Sequence, residues 1–130
     1  MTESADTGLL LDSHVLLWWL SDADDLSAEL KERIDTELVV CFSAASVWEL
    51  SIKEAAGKLE VPGDFAEALE HSGLIELPVR RVHGPVAGRL PAIHRDPFDR
   101  MLVAQALVED LALVTRDRFV QRYDVQTVKA

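Results

Sequence analysis

Leu9–Leu11 is an uninterrupted apolar run that stops at Asp12, the pattern of a short strand buried on both faces of a parallel sheet. Val15–Leu20 then reads as the start of a helix, and Ser27–Glu37 as a second helix capped by Ser27. Leu38–Phe42 is dense in bulky apolar side chains and predicts another buried strand. Ser43 caps a third helix, which carries Trp48, Glu49 and Lys53 and stops at Gly57. Residues 58–64 form a loop before a short helix around Phe65–His71, and Leu74–Leu77 is the next strand. The arginine-bearing segment after it, with Gly84, Pro85 and Gly88, is assigned no element. Asp96-Pro97 opens the clearest helix of the chain, running on through residues 98–110. Leu111–Thr115 is a further strand, and Val125–Val128 is a last edge strand. Strands alternating with helices predict a three-layer α/β/α domain with a mostly parallel central sheet. In open sheets of this kind, sites form beyond the carboxyl ends of the strands.

The chain has 130 residues, room for one domain, expected over residues 9–130 behind a tail at 1–8. A 48% hydrophobic content excludes disorder for most of it. Cys41 is the only cysteine, which excludes an internal disulfide framework and a cysteine-based zinc site. The first eight residues carry acids where a signal peptide needs positive charge, and Leu9–Leu20 is too short and too polar to span a bilayer. A cytoplasmic protein is expected. The net charge of −10 argues at first against nucleic acid, but it is unevenly placed. Residues 1–78 hold 4 Lys+Arg against 17 Asp+Glu, a net of −13, whereas residues 79–130 hold 9 against 6, a net of +3. Eight of those nine cations are arginine, the better phosphate ligand, so an arginine-rich surface on an acidic protein is open.

Four acids stand out: Asp12, Asp99 and Asp117 follow a strand end or start a helix, and Glu49 lies one to two turns into the helix after the second strand. Each has a local explanation. Asp12 and Asp117 can cap the segments after them, Glu49 can pair with Lys53 four residues on, and Asp99 can complete a capping box with Asp96. Together they point elsewhere, because four carboxylates converging on one place repel one another unless a cation sits among them. Oxygen ligands without cysteine or clustered histidine select a hard ion such as Mg²⁺ or Mn²⁺, which can activate water against a phosphodiester.

The segments that carry these acids also carry a resemblance. LLLDSHVLLWWL at 9–20, SAASVWELSIK at 43–53, HRDPFDRMLVAQA at 94–106 and LVTRD at 113–117 resemble the successive motifs of PIN-domain nucleases, more narrowly the VapC-type toxins of bacterial toxin–antitoxin pairs. The resemblance implies a PIN fold, a Mg²⁺- or Mn²⁺-dependent endoribonuclease, a VapB-like antitoxin and a homodimer. By motif, Asp12 and Asp99 would be the main metal ligands, with Glu49 and Asp117 completing the site directly or through water. Ser13 and Thr115 match the family's small polar positions, and Asp96 shapes the helix entrance.

Other residues carry two readings each. Trp18, Trp19 and Trp48 suit base stacking or packing. His14 and His94 flank motif acids and suit RNA contact or local hydrogen bonding. Arg95, Arg100, Arg116 and Arg118 suit phosphate binding or pairing with local carboxylates. Leu16, Leu17, Trp18, Trp19 and Leu20 exceed what one helix face needs, which leaves apolar surface for a partner. The alternatives to a nuclease are a catalytically inactive PIN-like interaction module and a phosphoacceptor signalling domain. The second wants an acidic pair after the first strand and a lysine after the last central one; here Ser13 and His14 follow Asp12, and Arg116 follows Thr115.

Overall fold

The structure is a computed structural model and describes residues 7–61 and 63–130. Most of the expected N-terminal tail therefore lies outside the described residues. Five strands, β1 (Leu9–Leu11), β2 (Val40–Ser43), β3 (Ile75–Leu77), β4 (Ala112–Thr115) and β5 (Thr127–Lys129), form one sheet in the order β3-β2-β1-β4-β5. Every neighbouring pair is parallel. Strand β1 lies at the centre, with Leu9 opposite both Val40 and Ala112. The chain builds outward from β1 to β3 and then returns to the other side of β1, so the topological switch falls between β1 and β4.

Side-chain alternation divides the core in two. Leu9, Leu11, Val40, Phe42, Ala112 and Val114 pack with Val15, Leu16 and Leu17 of α1 (Ser13–Leu20) and with Leu30 and Ile34 of α2 (Ala28–Thr36). Leu10, Cys41 and Leu113 face the other way. They pack with Leu102, Val103 and Ala106, on the last of four further helices: α3 (Ala44–Ala55), α4 (Phe65–Glu70), α5 (His83–Arg89) and α6 (Pro97–Glu109). The three-layer α/β/α arrangement expected from the alternation is the one observed. Helix starts follow the side chains that cap them: Asp12, Ser27, Ser43, Asp64 and Asp96 each accept a backbone N–H of the following turn. Gly57, at φ +72°, supplies the left-handed turn after α3.

Three expectations need correction. The strand expected at Leu38–Phe42 starts at Val40, because Leu38 follows directly on the end of α2 and stands in solvent. The segment around Gly84, Pro85 and Gly88 is helical. Pro85 falls in the first turn of α5, where no N–H is needed for the ladder. The helix is tied to α6 at its first residue: His83 is fully buried, its Nε2 lies 2.8 Å from Glu109, and Arg80 pairs with the same carboxylate. The apolar surplus expected at 16–20 is absorbed by the fold, with Leu16 and Leu17 buried and Trp18, Trp19 and Leu20 half-buried against the core. Exposed apolar surface lies instead between α3 and α6. There Trp48, Ile52, Val79, Phe98 and Met101 line an almost wholly apolar groove of about 580 Å³. Among the described residues, no helix is long and apolar enough to cross a membrane.

Candidate active site

Asp12 leaves the end of β1 as the cap of α1. One carboxylate oxygen accepts the Val15 N–H at 2.9 Å and the other accepts the Thr115 hydroxyl at 2.6 Å. Burial pushes its pKa up, against the pull of those two hydrogen bonds. Thr115 ends β4 and accepts the Asp117 N–H at 3.0 Å, so one hydroxyl links the two strand ends beside the switch point. Burial raises the Asp117 carboxyl as well, but the Val120 N–H, His94 and the Phe119 N–H outweigh it and hold the group below its ordinary range. Glu49 comes in from α3 and is buried. Its Oε1 accepts the Ser13 hydroxyl at 2.6 Å, and its Oε2 pairs with Lys53 Nζ at 2.8 Å. That hydrogen bond raises the lysine pKa. Asp99 sits in the first turn of α6. Burial first, then the charges of Asp96 and Glu49, lift its pKa to about 7, with His94 pulling the other way.

The local explanation holds for three of these acids but not for Asp99, because the Asp96 N–H that a capping box would need bonds His94 Nδ1 instead. Asp12 and Asp117 do cap, Glu49 does pair with Lys53, and all four still line one cleft of about 440 Å³ with Asp96, His14, His94, Lys53, Trp18 and Arg116. A larger hollow of about 810 Å³ beside α4 contains none of them. Among the described residues, His94, Asp99 and Asp117 each bring a ligating atom within 4.8 Å of the others. Asp12 and Glu49 line the cleft outside that cluster. The donor set fits a hard divalent ion. Carboxylate oxygens dominate it, and the charges of Asp96 and Glu49 add to burial in raising the Asp99 pKa.

The match to the PIN-domain family model spans residues 9–126. The chain belongs to the PIN-domain family. This PIN domain is 30% identical over 117 residues to Ribonuclease VapC22 of Mycobacterium tuberculosis, covering 86% of this chain and 88% of that protein. Its fold is similar to VapBC2 from Rickettsia felis, solved bound to a DNA fragment from the promoter. There the TM-score is 0.72 at 14% identity, over 95% of this chain and 99% of that one. It is likewise similar to FitAcB from Neisseria gonorrhoeae, with a TM-score of 0.68 at 21% identity, over 92% and 95% of the two chains. At these identities the solved structures speak for the fold.

The four arginines of this PIN domain separate. Arg116 lies over the Trp18 ring, 4.5 Å from its centroid, while its nitrogens bond the carbonyls of Asp25 and Ala130, so it forms a fixed lip of the cleft. Arg100 lies outside the cleft. Its guanidinium donates to the carbonyls of Ala87, Leu90, Pro91 and His94 and to the Tyr123 hydroxyl, pinning the loop between α5 and α6. Arg95 and Arg118 are exposed, on either side of the acids in sequence. Two residues at the centre of the cleft carried little signal. Lys53 entered only as a helix partner of Glu49, although its spacing already put it beside an acid. His94 entered as a flank of the motif, yet its Nε2 lies 3.0 Å from Asp99 and 3.2 Å from Asp117. Of the tryptophans, Trp18 is at the cleft, Trp19 packs on the core, and Trp48 meets Phe98 edge to face in the apolar groove.

Proposed function

We propose that this PIN domain is a Mg²⁺- or Mn²⁺-dependent endoribonuclease, a VapC-type toxin that works in the cytoplasm and is held in check by a VapB-like antitoxin. The observation that carries the reading is the convergence of Asp12, Glu49, Asp99 and Asp117 on one cleft at the switch point of the sheet. When bound, the ion neutralises charge on the phosphodiester oxygens and activates a water for attack. Asp12 and Asp99 would be the main ligands, with Glu49 and Asp117 completing the site directly or through water; Asp99 and Asp117 bring ligating oxygens close together. Thr115 fixes one oxygen of Asp12, and Ser13 fixes one oxygen of Glu49. Arg116 and Trp18 form a cationic and aromatic lip suited to an RNA strand, with exposed Arg95 and Arg118 available to phosphates farther along.

The same cleft suits an antitoxin arginine, which would neutralise the carboxylates in place of the ion. Similarity to a protein named a ribonuclease and to toxin–antitoxin complexes supports this reading. A homodimer is part of the proposal, and the apolar groove between α3 and α6 is an exposed apolar surface that one could use. The test is cleavage of RNA by the purified protein in Mg²⁺ or Mn²⁺. Cleavage should vanish in EDTA and fall about 10²-fold or more in Asp99→Asn. Equal cleavage by wild type and Asp99→Asn would remove the site assignment. No metal-dependent cleavage of any RNA would leave an inactive interaction module. Co-expression with the adjacent small open reading frame tests the antitoxin: no complex and no relief of toxicity would refute it.

A further inference from the structure

Glu49 is buried, and donors occupy both of its oxygens. The Ser13 hydroxyl reaches Oε1 at 2.6 Å, and Lys53 Nζ reaches Oε2 at 2.8 Å. Ser13 also lies 2.9 Å from the Ser46 hydroxyl, and it has a single hydroxyl hydrogen to give. That hydrogen is assigned to the carboxylate, the charged acceptor at the shorter distance, and Ser46 donates to Ser13 in turn. Ser46, Ser13 and Glu49 are all buried, and the chain they form ends on a lysine whose side chain is 36% exposed in the cleft. An ordinary exposed pair at this helical spacing has no such support.

An ammonium has three N–H donors, and among the described residues Glu49 is the one hydrogen-bond partner of Lys53. The other two donors remain for water or for a ligand in the cleft. Asp12, Glu49, Asp96, Asp99 and Asp117 line that cleft, and against these carboxylates stand two permanent cations, Lys53 and Arg116. Arg116 is committed to the Trp18 ring and to the carbonyls of Asp25 and Ala130. Lys53 is the cation whose donors are still open to an entering anion. We propose that Lys53 binds a backbone phosphate of the RNA strand beside the metal site, with Ser46, Ser13 and Glu49 holding its ammonium in place. The proposal rests on the reading that this cleft takes RNA. A carboxylate has about four lone-pair sites, so Glu49 can hold Lys53 and still complete the metal site. The lysine offsets the repulsion that a phosphodiester meets among these acids, and its anchorage fixes where along the α3 wall the phosphate lies.

The test needs neither metal nor turnover. A fluorescein-labelled oligouridylate of about 20 nucleotides is bound in EDTA over a series of salt concentrations and followed by anisotropy. Each phosphate neutralised on a single strand adds about 0.7 to the steepness of log K against log salt. Lys53→Gln should lower the slope by about that amount and weaken binding about three- to tenfold at low salt, whereas Lys53→Arg should keep both. Lys53→Gln leaves Glu49 buried without its cation, so the double variant Glu49→Gln, Lys53→Gln replaces the charged pair with a neutral one. It should show the same lowered slope, and Glu49→Gln alone should keep the wild-type slope. An unchanged slope in both lysine variants would make Lys53 a structural partner of Glu49 and overturn the proposal. An equal fall in Glu49→Gln alone would trace the effect to local disruption and overturn it as well, as would wild type that does not bind the probe at low salt. RNA cleavage by wild type alongside any of these results would overturn the Lys53 role alone; wild type that neither binds nor cleaves RNA would overturn the RNA reading with it.

Discussion

At the scale of single residues, Asp99 concentrates the conflict between the cleft and the fold. Its pKa is about 7 in the folded chain against an ordinary 3.8, so the folded state binds this proton more tightly than the unfolded one. The resulting stabilisation is fully present below pH 3.8 and is lost as pH rises through 7. Without metal, Asp99→Asn should therefore gain stability over wild type as pH goes from 4 to 8, reaching roughly 1–3 kcal/mol at the upper end. Thermal melts in EDTA at the two pH values check this, and an equal difference at both would show that Asp99 is not under charge strain. Saturating Mn²⁺ should reverse the order, since only wild type gains the full binding energy. Thr115 makes the opposite prediction. Among the described residues its hydroxyl is the one side-chain donor to buried Asp12, and Thr115→Val should destabilise the protein by about 1–3 kcal/mol at pH 7, measured by urea denaturation. The acids were legible in the sequence because strand ends and helix starts are where carboxylates both cap and converge. The placement of His94 was not, because it depends on how far the loop before α6 folds back toward β4.

At the scale of elements, the loop between α5 and α6 hangs on Arg100, which donates to four carbonyls and one hydroxyl. Arg100→Ala should cost about 2–4 kcal/mol in stability, because four carbonyls, three of them in part-buried hydrogen bonds, lose a charged donor. Arg95→Ala and Arg118→Ala should each stay within about 0.5 kcal/mol of wild type, as exposed positions do, and weaken RNA binding instead. Denaturation and RNA-binding titrations on the three variants separate the roles; a stable Arg100→Ala protein with weakened RNA binding would exchange them. The same contrast explains which elements could be read from sequence. Strands β1 and β4 are continuous apolar runs, and α2, α3 and α6 begin at Ser27, Ser43 and Asp96, so their signals are local. Helix α5 has two glycines and a proline in seven residues. Its propensity is poor, and it stands through contacts with α6 made by Arg80 and His83 on Glu109, which no local pattern announces.

At the scale of the whole molecule, alternation of strands and helices was enough to say where the acids would gather, because the parallel order puts the carboxyl ends of all five strands on one side of the sheet. The partner surface was not legible in the same way. Periodicity counts apolar residues but does not say which the core will take, and here the core takes most of 15–20 and leaves Trp48, Ile52, Val79 and Phe98 outside. Trp48 is 64% exposed, one residue from buried Glu49, so α3 presents its acid to the cleft and its indole to the neighbouring apolar groove. A dimer through this face would seat two clefts on one assembly. It would also cover an apolar groove that a monomer leaves in water, and hydrophobic burial of this kind drives association. Light scattering should give twice the 14.4 kDa chain mass for wild type at micromolar concentration. Trp48→Glu sets a carboxylate against its own copy across a two-fold axis and should return the mass to that of one chain. The indole is too exposed for the change to unfold the domain, so the melting temperature at low concentration should hardly move. A wild-type mass of one chain, unchanged on concentration, would exclude the dimer. A Trp48→Glu protein that remains dimeric would place the interface elsewhere.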